Sequence, residues 1–382
     1  MSVESKKAII LKPTEENYKI AAEALHKGQL VAFPTETVYG LGANALNRES
    51  CCDIFKVKNR PFNDPVIVHV ACLQEALDLI DICEEDRKVF TLLANSFWPG
   101  PLTIVAKAKP CLPLELSAGT GAIGFRCPSH PVAHKLIEVS HLPIAAPSAN
   151  LFGHVSPTTA DHVYKDLGTN PIYILDGGET GLDCSVGIES TVMKVETQNN
   201  KIVLFRRGGI SENDIYKCLC SNGYSHLLVD VVKKQVKSRA DKGKDGVDYK
   251  EEHVTLKGEQ APGQLLTHYA PYIQTYLVKR DSNTKSNEIF EHIDKCIIID
   301  FAGILKDLSG KAHTYMTLSE DNNIHEATKN LYRAFRDAEI IKGANYILLP
   351  DLSEYPDELA PAIMDRMFRA ASGRVIMLNK LE

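Results

Sequence analysis

A charged segment that is poor in apolar residues and begins at residue 231 constrains the fold of this chain more than any other feature. From Val231 to Gly246 it carries nearly no large apolar side chain after Val236. Because such a segment cannot bury enough apolar surface to offset the entropy lost on ordering, it predicts a flexible linker. The 382 residues also exceed one ordinary domain. We therefore expect a domain over residues 1–230, a linker over 231–272 and a second domain over 273–382.

Composition narrows the classes of function. Hydrophobic residues make up 44% and charged residues 24%, as in ordinary globular proteins. The formal net charge of −6 argues against a uniformly basic nucleic-acid binder, so any phosphate or RNA site must be a local patch. No apolar run has the length of a membrane span, the polar N-terminus lacks a signal-peptide core, and the ten cysteines form no CxxC pair. We expect a cytoplasmic protein with free thiols and no membrane association.

Helical and strand patterns alternate on both sides of the linker. In the first domain the spacing predicts a helix over 14–28, with Thr14 as its N-cap. In the second domain it predicts helices over 287–293 and 325–338 and a buried strand over 296–300. This alternation favours an α/β fold in both halves and a parallel doubly wound sheet in the second.

Three cations, Lys56, Lys58 and Arg60, recur at every second position before Pro61. If the local backbone is extended, their side chains leave one face, where like charges repel unless an anion is present. A polyphosphate clamp is one interpretation, because Arg grips a phosphate at two points and Lys acts as a point charge. A solvated surface segment is the other, and it is favoured when the motif is taken alone. The prolines that follow predict a loop, which shifts the balance towards ligand contact.

Several other polar residues follow or end apolar segments. Ser148 and Asn150 come after a predicted strand, at the end where α/β sheets bind ligands, although both are also ordinary turn residues. His69 and Arg126 lie in predicted strands, where their plain interpretations are a core histidine and a buried ion pair. The chain has no Walker-type phosphate loop, no GxGxxG after a first strand, no HExxH and no GxSxG. Any nucleotide site must therefore be of an unusual kind.

Taken together and in order, five segments of this chain resemble the YrdC-like threonylcarbamoyl-AMP synthases. They are Phe-Pro-Thr-Glu-Thr-Val-Tyr-Gly-Leu-Gly at 33–42, Lys-x-Lys-x-Arg-Pro at 56–61, Trp-Pro-Gly-Pro-Leu-Thr at 98–103, Pro-Ser-Ala-Asn at 147–150 and Glu-Ser-Thr at 189–191. The match covers residues 8–220. The Pro-Gly and His-Tyr-Ala-Pro elements of the linker and the α/β tail resemble the longer, two-domain branch of the family.

The resemblance implies a fold and a reaction. The fold is a twisted N-terminal α/β sheet with a concave basic cavity, joined by a long linker to a smaller Rossmann-like α/β domain. The enzyme makes L-threonylcarbamoyl-adenylate and pyrophosphate from L-threonine, bicarbonate or CO2, and ATP, with Mg2+ accompanying ATP. A separate transferase complex then modifies tRNA, and a weak direct contact with tRNA is a further expectation.

Site residues follow from the same resemblance, position by position. The threonine site would contain Thr37, His69, Arg126, Ala146 and Ser190. The catalytic residues around the ATP phosphates would be Lys56, Lys58 and Arg60, with Ser148 and Asn150 beside them. Further nucleotide contacts would come from Asp64, Ser156, Arg206 and, from the linker folded over the site, Tyr269. No protein side chain is expected to bind a metal. Asp64 stands where the family often has Asn, and a carboxylate there should repel phosphates unless a metal or lysine intervenes.

Three alternatives remain at this point. A non-catalytic RNA-binding protein would use the same basic cavity, although the acidic net charge argues against it. A related enzyme would hold carbamoyl-adenylate in the same site. The C-terminal domain, which carries no catalytic signature, would in a third case bind a regulatory ligand.

Overall fold

The computed structural model describes residues 7–180, 187–232, 261, 266, 268–282 and 284–379, together with the backbone at 237–238 and 249–250. These residues form two compact units. The first contains the residues up to Phe152 and Ser156–Val232, and the second contains Gly153–Val155 and the residues from Leu266 onward. Most of the predicted linker over 231–272 lies outside the described residues.

Helices and strands alternate along the described ranges. The α-helices are Glu15–His26 (α1), Arg48–Lys58 (α2), Leu73–Leu79 (α3), Glu84–Phe97 (α4), Pro131–Ser140 (α5), Ala160–Leu167 (α6), Glu212–Ser221 (α7), Ile324–Glu339 (α8) and Ala360–Ala370 (α9). The strands are Ile9–Leu11 (β1), Val31–Phe33 (β2), Gly40–Asn44 (β3), Val68–His69 (β4), Leu102–Lys107 (β5), Ala122–Arg126 (β6), Ile144–Ala145 (β7), Tyr173–Leu175 (β8), Thr191–Glu196 (β9), Lys201–Arg206 (β10), Leu228–Val231 (β11), Lys237–Ser238 (β12), Tyr249–Lys250 (β13), Gln274–Arg280 (β14), Cys296–Asp300 (β15), Thr314–Thr317 (β16), Tyr346–Pro350 (β17) and Val375–Leu378 (β18). None of the helices just given has both the length and the apolar character needed to cross a bilayer.

The first unit is built on an eleven-stranded mixed sheet in the order β1-β8-β2-β3-β7-β4-β6-β5-β9-β10-β11. Neighbouring residues of β2 point to opposite faces of this sheet. Val31 belongs to the same buried cluster as Leu25 of α1, whereas Ala32 belongs to a separate cluster that includes Phe55 of α2. Because both faces are covered at this point, polar side chains that bind a ligand are expected at the strand ends.

Helix α1 forms where the sequence pattern predicts it. Thr14 has an extended backbone, and its hydroxyl accepts a hydrogen bond from the Asn17 amide at 3.3 Å. The helix spans Glu15–His26, and Gly28 follows with a positive φ of 81° that a glycine adopts without strain. The predicted N-cap is therefore confirmed.

The second unit contains a five-stranded sheet in the order β16-β15-β17-β14-β18, in which every adjacent pair is parallel. The predicted parallel sheet and its buried strand Cys296–Asp300 are confirmed. Helix α8 extends one residue beyond the predicted range at each end. The helix predicted over 287–293 is present as a 3₁₀ helix, Glu288–Lys295, that is interrupted at His292, where φ is −115°.

Candidate active site

The candidate site lies at the ends of neighbouring strands in the first unit. His69 of β4 is opposite Arg126 of β6 on one side and opposite Ile144 of β7 on the other. Strands β5 and β6 are antiparallel and pair Ile104 with Phe125, so Thr103 and Arg126 are the next residues of the two strands at this end of the sheet. Strand β9 pairs with β5 from Thr191 onward. Strand register therefore assembles residues that are widely separated in the chain.

Arg126 is held by a buried carboxylate and a hydroxyl. Its Nη2 atom lies 2.7 Å from Oε1 of Glu36, and both side chains are almost fully buried. Both terminal nitrogens of Arg126 also lie 3.2 Å from Oγ1 of Thr37. The second oxygen of Glu36 accepts a hydrogen bond from the Ser129 amide at 3.1 Å. The structure thus places Thr37 and Arg126 together, in a cluster that depends on Glu36.

His69 is a buried neutral imidazole beside this pair. Its Nδ1 atom lies 3.4 Å from the carbonyl oxygen of Ile144, and its ring meets Phe33 edge-on with centroids 6.1 Å apart. Burial, and to a smaller extent the neighbouring Arg126 charge, lower the pKa of His69 to about 3. Ala146, just after β7, is buried, and its amide donates to the Ile67 carbonyl at 2.9 Å. His69 therefore contributes hydrogen bonding and shape to the site, without a charge.

Ser190 belongs to a second buried polar group on the other side of Arg126. Its hydroxyl shares a hydrogen bond of 2.7 Å with Thr103. Arg206 donates to the Ser190 carbonyl at 3.0 and 2.9 Å and to the Ser190 hydroxyl at 3.1 Å. The hydroxyl of Ser156 donates to Glu189 at 2.8 Å. Ser156 and Arg206 are thus hydrogen-bonded to the consecutive residues Glu189 and Ser190.

The expectation that Lys56, Lys58 and Arg60 share one face of an extended backbone is wrong. Helix α2 continues through Lys58 and ends at Asn59, which has a left-handed φ of 54°. Since successive helical residues are rotated by about 100°, Lys56 and Lys58 point in nearly opposite directions. Lys56 is 72% exposed and pairs with Asp53 at 2.7 Å, whereas Lys58 is fully buried. Lys56 therefore lies outside the buried cluster that contains the other two cations.

Lys58 fixes the turn that contains Ser148 and Asn150. Its ammonium group donates to the Ser148 carbonyl at 2.6 Å and to the Asn150 carbonyl. Burial lowers the pKa of Lys58 well below its ordinary value, and the nearby Arg60 charge acts in the same direction. The same turn pairs with the 33–42 segment through Gly40 and Ser148. Three of the sequence motifs therefore meet at this lysine.

Arg60 and Asp64 form a buried ion pair. Nη2 of Arg60 lies 2.9 Å from Oδ2 of Asp64, and the two side chains are 4% and 0% exposed. Arg60 also donates to the carbonyls of Asp64 at 3.1 Å and Pro65 at 2.7 Å. The carboxylate that seemed unfavourable beside phosphates thus faces the guanidinium and closes the loop from 60 to 65.

Tyr269 lies in the second unit, among aromatic and cationic side chains. Its side chain is fully buried, and its φ is 61°. Its ring centroid is 5.4 Å from that of Tyr332 on α8, and the guanidinium carbon of Arg366 lies 5.8 Å from it. The role of Tyr269 as a lid over the nucleotide stays a prediction.

Glu36, Thr103 and Glu189 are the residues of the site that sequence reasoning missed. Each lies inside one of the five matched segments, next to or near a residue that was assigned a role. These side chains form hydrogen bonds or ion pairs with residues that are distant in the chain and are brought close by strand pairing. No pattern of neighbouring residues in the sequence predicts such contacts. A buried partner for Arg126 was one interpretation of its position, but the sequence did not identify Glu36 as that partner.

Comparison with known proteins agrees with this geometry. A family model described as "Telomere recombination", which covers the Sua5, YciO and YrdC proteins, matches residues 23–208. A second model, the C-terminal domain of threonylcarbamoyl-AMP synthase, matches residues 210–372. The threonylcarbamoyl-AMP synthase of Pyrococcus abyssi is 34% identical, over 95% of this chain and 96% of its own length. That of Bacillus subtilis is 35% identical, over 93% of each chain.

A solved structure extends the likeness to three dimensions. The crystal structure of P. abyssi Sua5 complexed with L-threonine matches with a TM-score of 0.76 at 32% identity, covering 97% of this chain and 99% of the other. The chain belongs to the threonylcarbamoyl-AMP synthase family, in the branch that carries the Sua5-type C-terminal domain. The family and the two-part α/β fold predicted from the ordered motifs are confirmed, and the RNA-binding alternative is not favoured.

Proposed function

We propose that this chain makes L-threonylcarbamoyl-adenylate and pyrophosphate from L-threonine, bicarbonate or CO2, and ATP. The observation that carries the proposal is a run of buried polar residues at neighbouring strand ends, Ser190, Thr103, Arg126 and His69, together with the buried Lys58 that donates to the Ser148 carbonyl. The names of the relatives, and the L-threonine in the P. abyssi Sua5 structure, support the same reaction.

The end of this run around Arg126 suits an amino acid. A guanidinium fork matches a carboxylate in geometry and charge, so Arg126 would bind the carboxylate of threonine. Thr37 and Ser190 would contact threonine through their hydroxyl groups, and Ala146 would contact it through its backbone. Because the pKa of His69 is about 3, its imidazole would serve threonine as a neutral hydrogen-bonding group.

The part of the site around Lys58 and Arg60 suits a triphosphate. Lys58 and Arg60 are buried cations close to the Ser148–Asn150 turn, and Ser156 and Arg206 would add nucleotide contacts. Fixed positive groups in a site that excludes water stabilise the charge on phosphate oxygens more strongly than they would in bulk solvent.

The chemistry we propose needs no covalent bond to the protein. The neutral amine of threonine attacks CO2, a nitrogen–carbon bond forms, and the amine proton leaves to solvent. An oxygen of the new carboxylate then bonds to the α-phosphorus of ATP, while the bond from that phosphorus to the bridging oxygen of the β-phosphate breaks. The protein contributes by positioning the reactants in line and by stabilising phosphate charge.

Mg2+ would accompany ATP in this proposal. Within the described ranges, no group of three or more His, Cys, Asp or Glu side chains is arranged to hold a metal. The ion would be held mainly by phosphate oxygens and water, as this hard cation prefers. When bound, the ion would neutralise charge on the leaving pyrophosphate.

The product is a mixed anhydride that water hydrolyses, so it would be passed promptly to a separate transferase complex that modifies tRNA. We also propose that the segment around Tyr269 limits the access of water to the nucleotide during the reaction. Weak direct binding of tRNA remains part of the proposal.

The test is pyrophosphate release from ATP by the purified chain, with threonine and bicarbonate each present or omitted. We expect release to require both, and the adenylate to carry label from bicarbonate. Carbamoyl phosphate in place of threonine and bicarbonate serves as the control for the related carbamoyl-adenylate reaction. Pyrophosphate release that is independent of threonine, or salt-sensitive tRNA binding without turnover, would refute the proposal.

A further inference from the structure

A three-residue segment of the nucleotide region groups with the C-terminal unit. Gly153–Val155 belong to the second unit, whereas the residues on either side belong to the first. Asn150 precedes this segment by three residues, and Ser156 follows it directly. Because three residues span about 10 Å at most, any shift of the segment must move at least one of these two residues.

Helix α8 holds this segment by two side chains. Nη2 of Arg336 donates to the carbonyl oxygen of Val155, and Nε2 of His154 lies 2.9 Å from Oε1 of Glu339. Arg336 and Glu339 are three residues apart, so both project from one face of the helix. Arg336 and His154 are buried, and the side chain of Glu339 is only 12% exposed.

The residues after Tyr269 complete the contact. The Ala270 amide donates to the Gly153 carbonyl at 2.9 Å, and the Tyr272 amide donates to Oε1 of Glu339 at 2.7 Å. The ring of Tyr272 stacks on His154 with centroids 4.1 Å apart. Glu339 is thus bonded both to the 153–155 segment and to the chain that leads out of the His-Tyr pair.

We infer that Arg336 and Glu339 are positioning residues that fix the 153–155 segment and thereby set Asn150 and Ser156 for the nucleotide. This inference rests on the proposed function. It gives the C-terminal unit a part in the reaction although that unit supplies no reacting group. Removal of Arg336 takes this donor from the buried Val155 carbonyl, and removal of Glu339 takes this acceptor from the His154 imidazole and the Tyr272 amide, so the segment should move to replace the lost bonds.

The kinetic test compares Arg336→Met and Glu339→Met, which remove the donor and the acceptor while keeping side-chain length, with a matched control on the same helix. Arg333 pairs with Asp337 at 3.7 Å, and both are about half exposed, so Arg333→Met removes a largely solvated arginine of α8 for comparison with the buried Arg336. We expect the KM for ATP to rise about tenfold in both test variants, with the KM for threonine unchanged and Arg336→Lys restoring most of the loss. The control should behave like the wild type. Equal changes in both KM values, or none in a folded variant, would overturn the inference.

A measurement without turnover separates this inference from the proposed function. Hydrogen–deuterium exchange of peptides covering residues 151–157 should be faster in Arg336→Met and Glu339→Met than in the wild type and in Arg333→Met. Exchange that is unchanged in both test variants would refute the positioning role. If the wild-type chain released no pyrophosphate, the proposed function would fail, while exchange and titration with ATP would still decide whether the segment is held by α8. If Arg336→Met did not fold, Glu339→Met would carry the same comparison with Arg333→Met.

Discussion

Lys58→Met is the substitution that most directly tests the account of the phosphate side. The lysine donates to the main-chain carbonyls of Ser148 and Asn150 from a fully buried position. Methionine has similar length and no donor, so the substitution removes both hydrogen bonds while it keeps most of the packing volume.

The expected loss of stability follows from these two bonds. An unpaired buried carbonyl costs about 1–3 kcal/mol. Part of this loss is offset, because the variant no longer buries the amine of the lysine, which is itself unfavourable. We therefore expect the free energy of unfolding to fall by about 2–4 kcal/mol. Turnover should fall at least about 100-fold, as when a charge-stabilising donor is removed from a transition state.

Urea unfolding followed by circular dichroism, and threonine-dependent pyrophosphate release, measure the two effects. Lys56→Met is the matched comparison, because the helix directs Lys56 to solvent, where it pairs only with Asp53 among the contacts described. We expect this variant to unfold like the wild type and to keep its turnover within about twofold. Equal losses of turnover in both variants, or unchanged unfolding of Lys58→Met, would refute the reasoning.

Three further predictions concern the rest of the site. Glu36→Gln weakens the ion pair that orients Arg126, so the KM for threonine should rise about tenfold with a smaller change in kcat; an unchanged KM would exclude this role. Because the pKa of folded His69 is about 3 against 6.5 in the unfolded chain, the unfolded state binds more protons between these values. The wild type should therefore lose stability relative to His69→Gln as the pH falls from 6.5 towards 3, by at most about 1.4 kcal/mol per pH unit in urea titrations, and a constant difference would contradict it. Tyr269→Ala should weaken ATP binding measured by titration, with thermal unfolding as the control for its buried position; unchanged affinity in the folded variant would remove the lid role.

Local patterns predicted much of the fold. The N-cap at Thr14 and the apolar run at 296–300 are properties of adjacent residues, and the structure has the predicted elements there. The backbone at Lys58 was predicted wrongly, because helix α2 continues through this residue, where an extended backbone was considered. Asn59 is a residue type that tolerates the left-handed conformation at a helix end, and it was the available signal for that boundary.

The partners in the site were less predictable, since they are set by strand register. Arg126 meets Glu36 across 90 positions, and Thr103 meets Ser190 across 87. A single sequence shows that these side chains exist and that they can pair, but it does not show which strands are neighbours in the sheet. The ordered motifs indicated the family, and the strand pairing then explained why the motifs contain those residues.

The two arginines assigned to the substrates share one arrangement that changes how their charge should be understood. Arg60 is paired with Asp64, and Arg126 is paired with Glu36, all four side chains being nearly fully buried. A buried guanidinium without a counter-charge would be costly, so these carboxylates allow both cations to be held in the folded chain. A guanidinium has five N–H donors and can bond a carboxylate and a second anion at once. Substrate anions would then bind arginine side chains that are already oriented, because the conformational entropy of these side chains is lost during folding and not on binding.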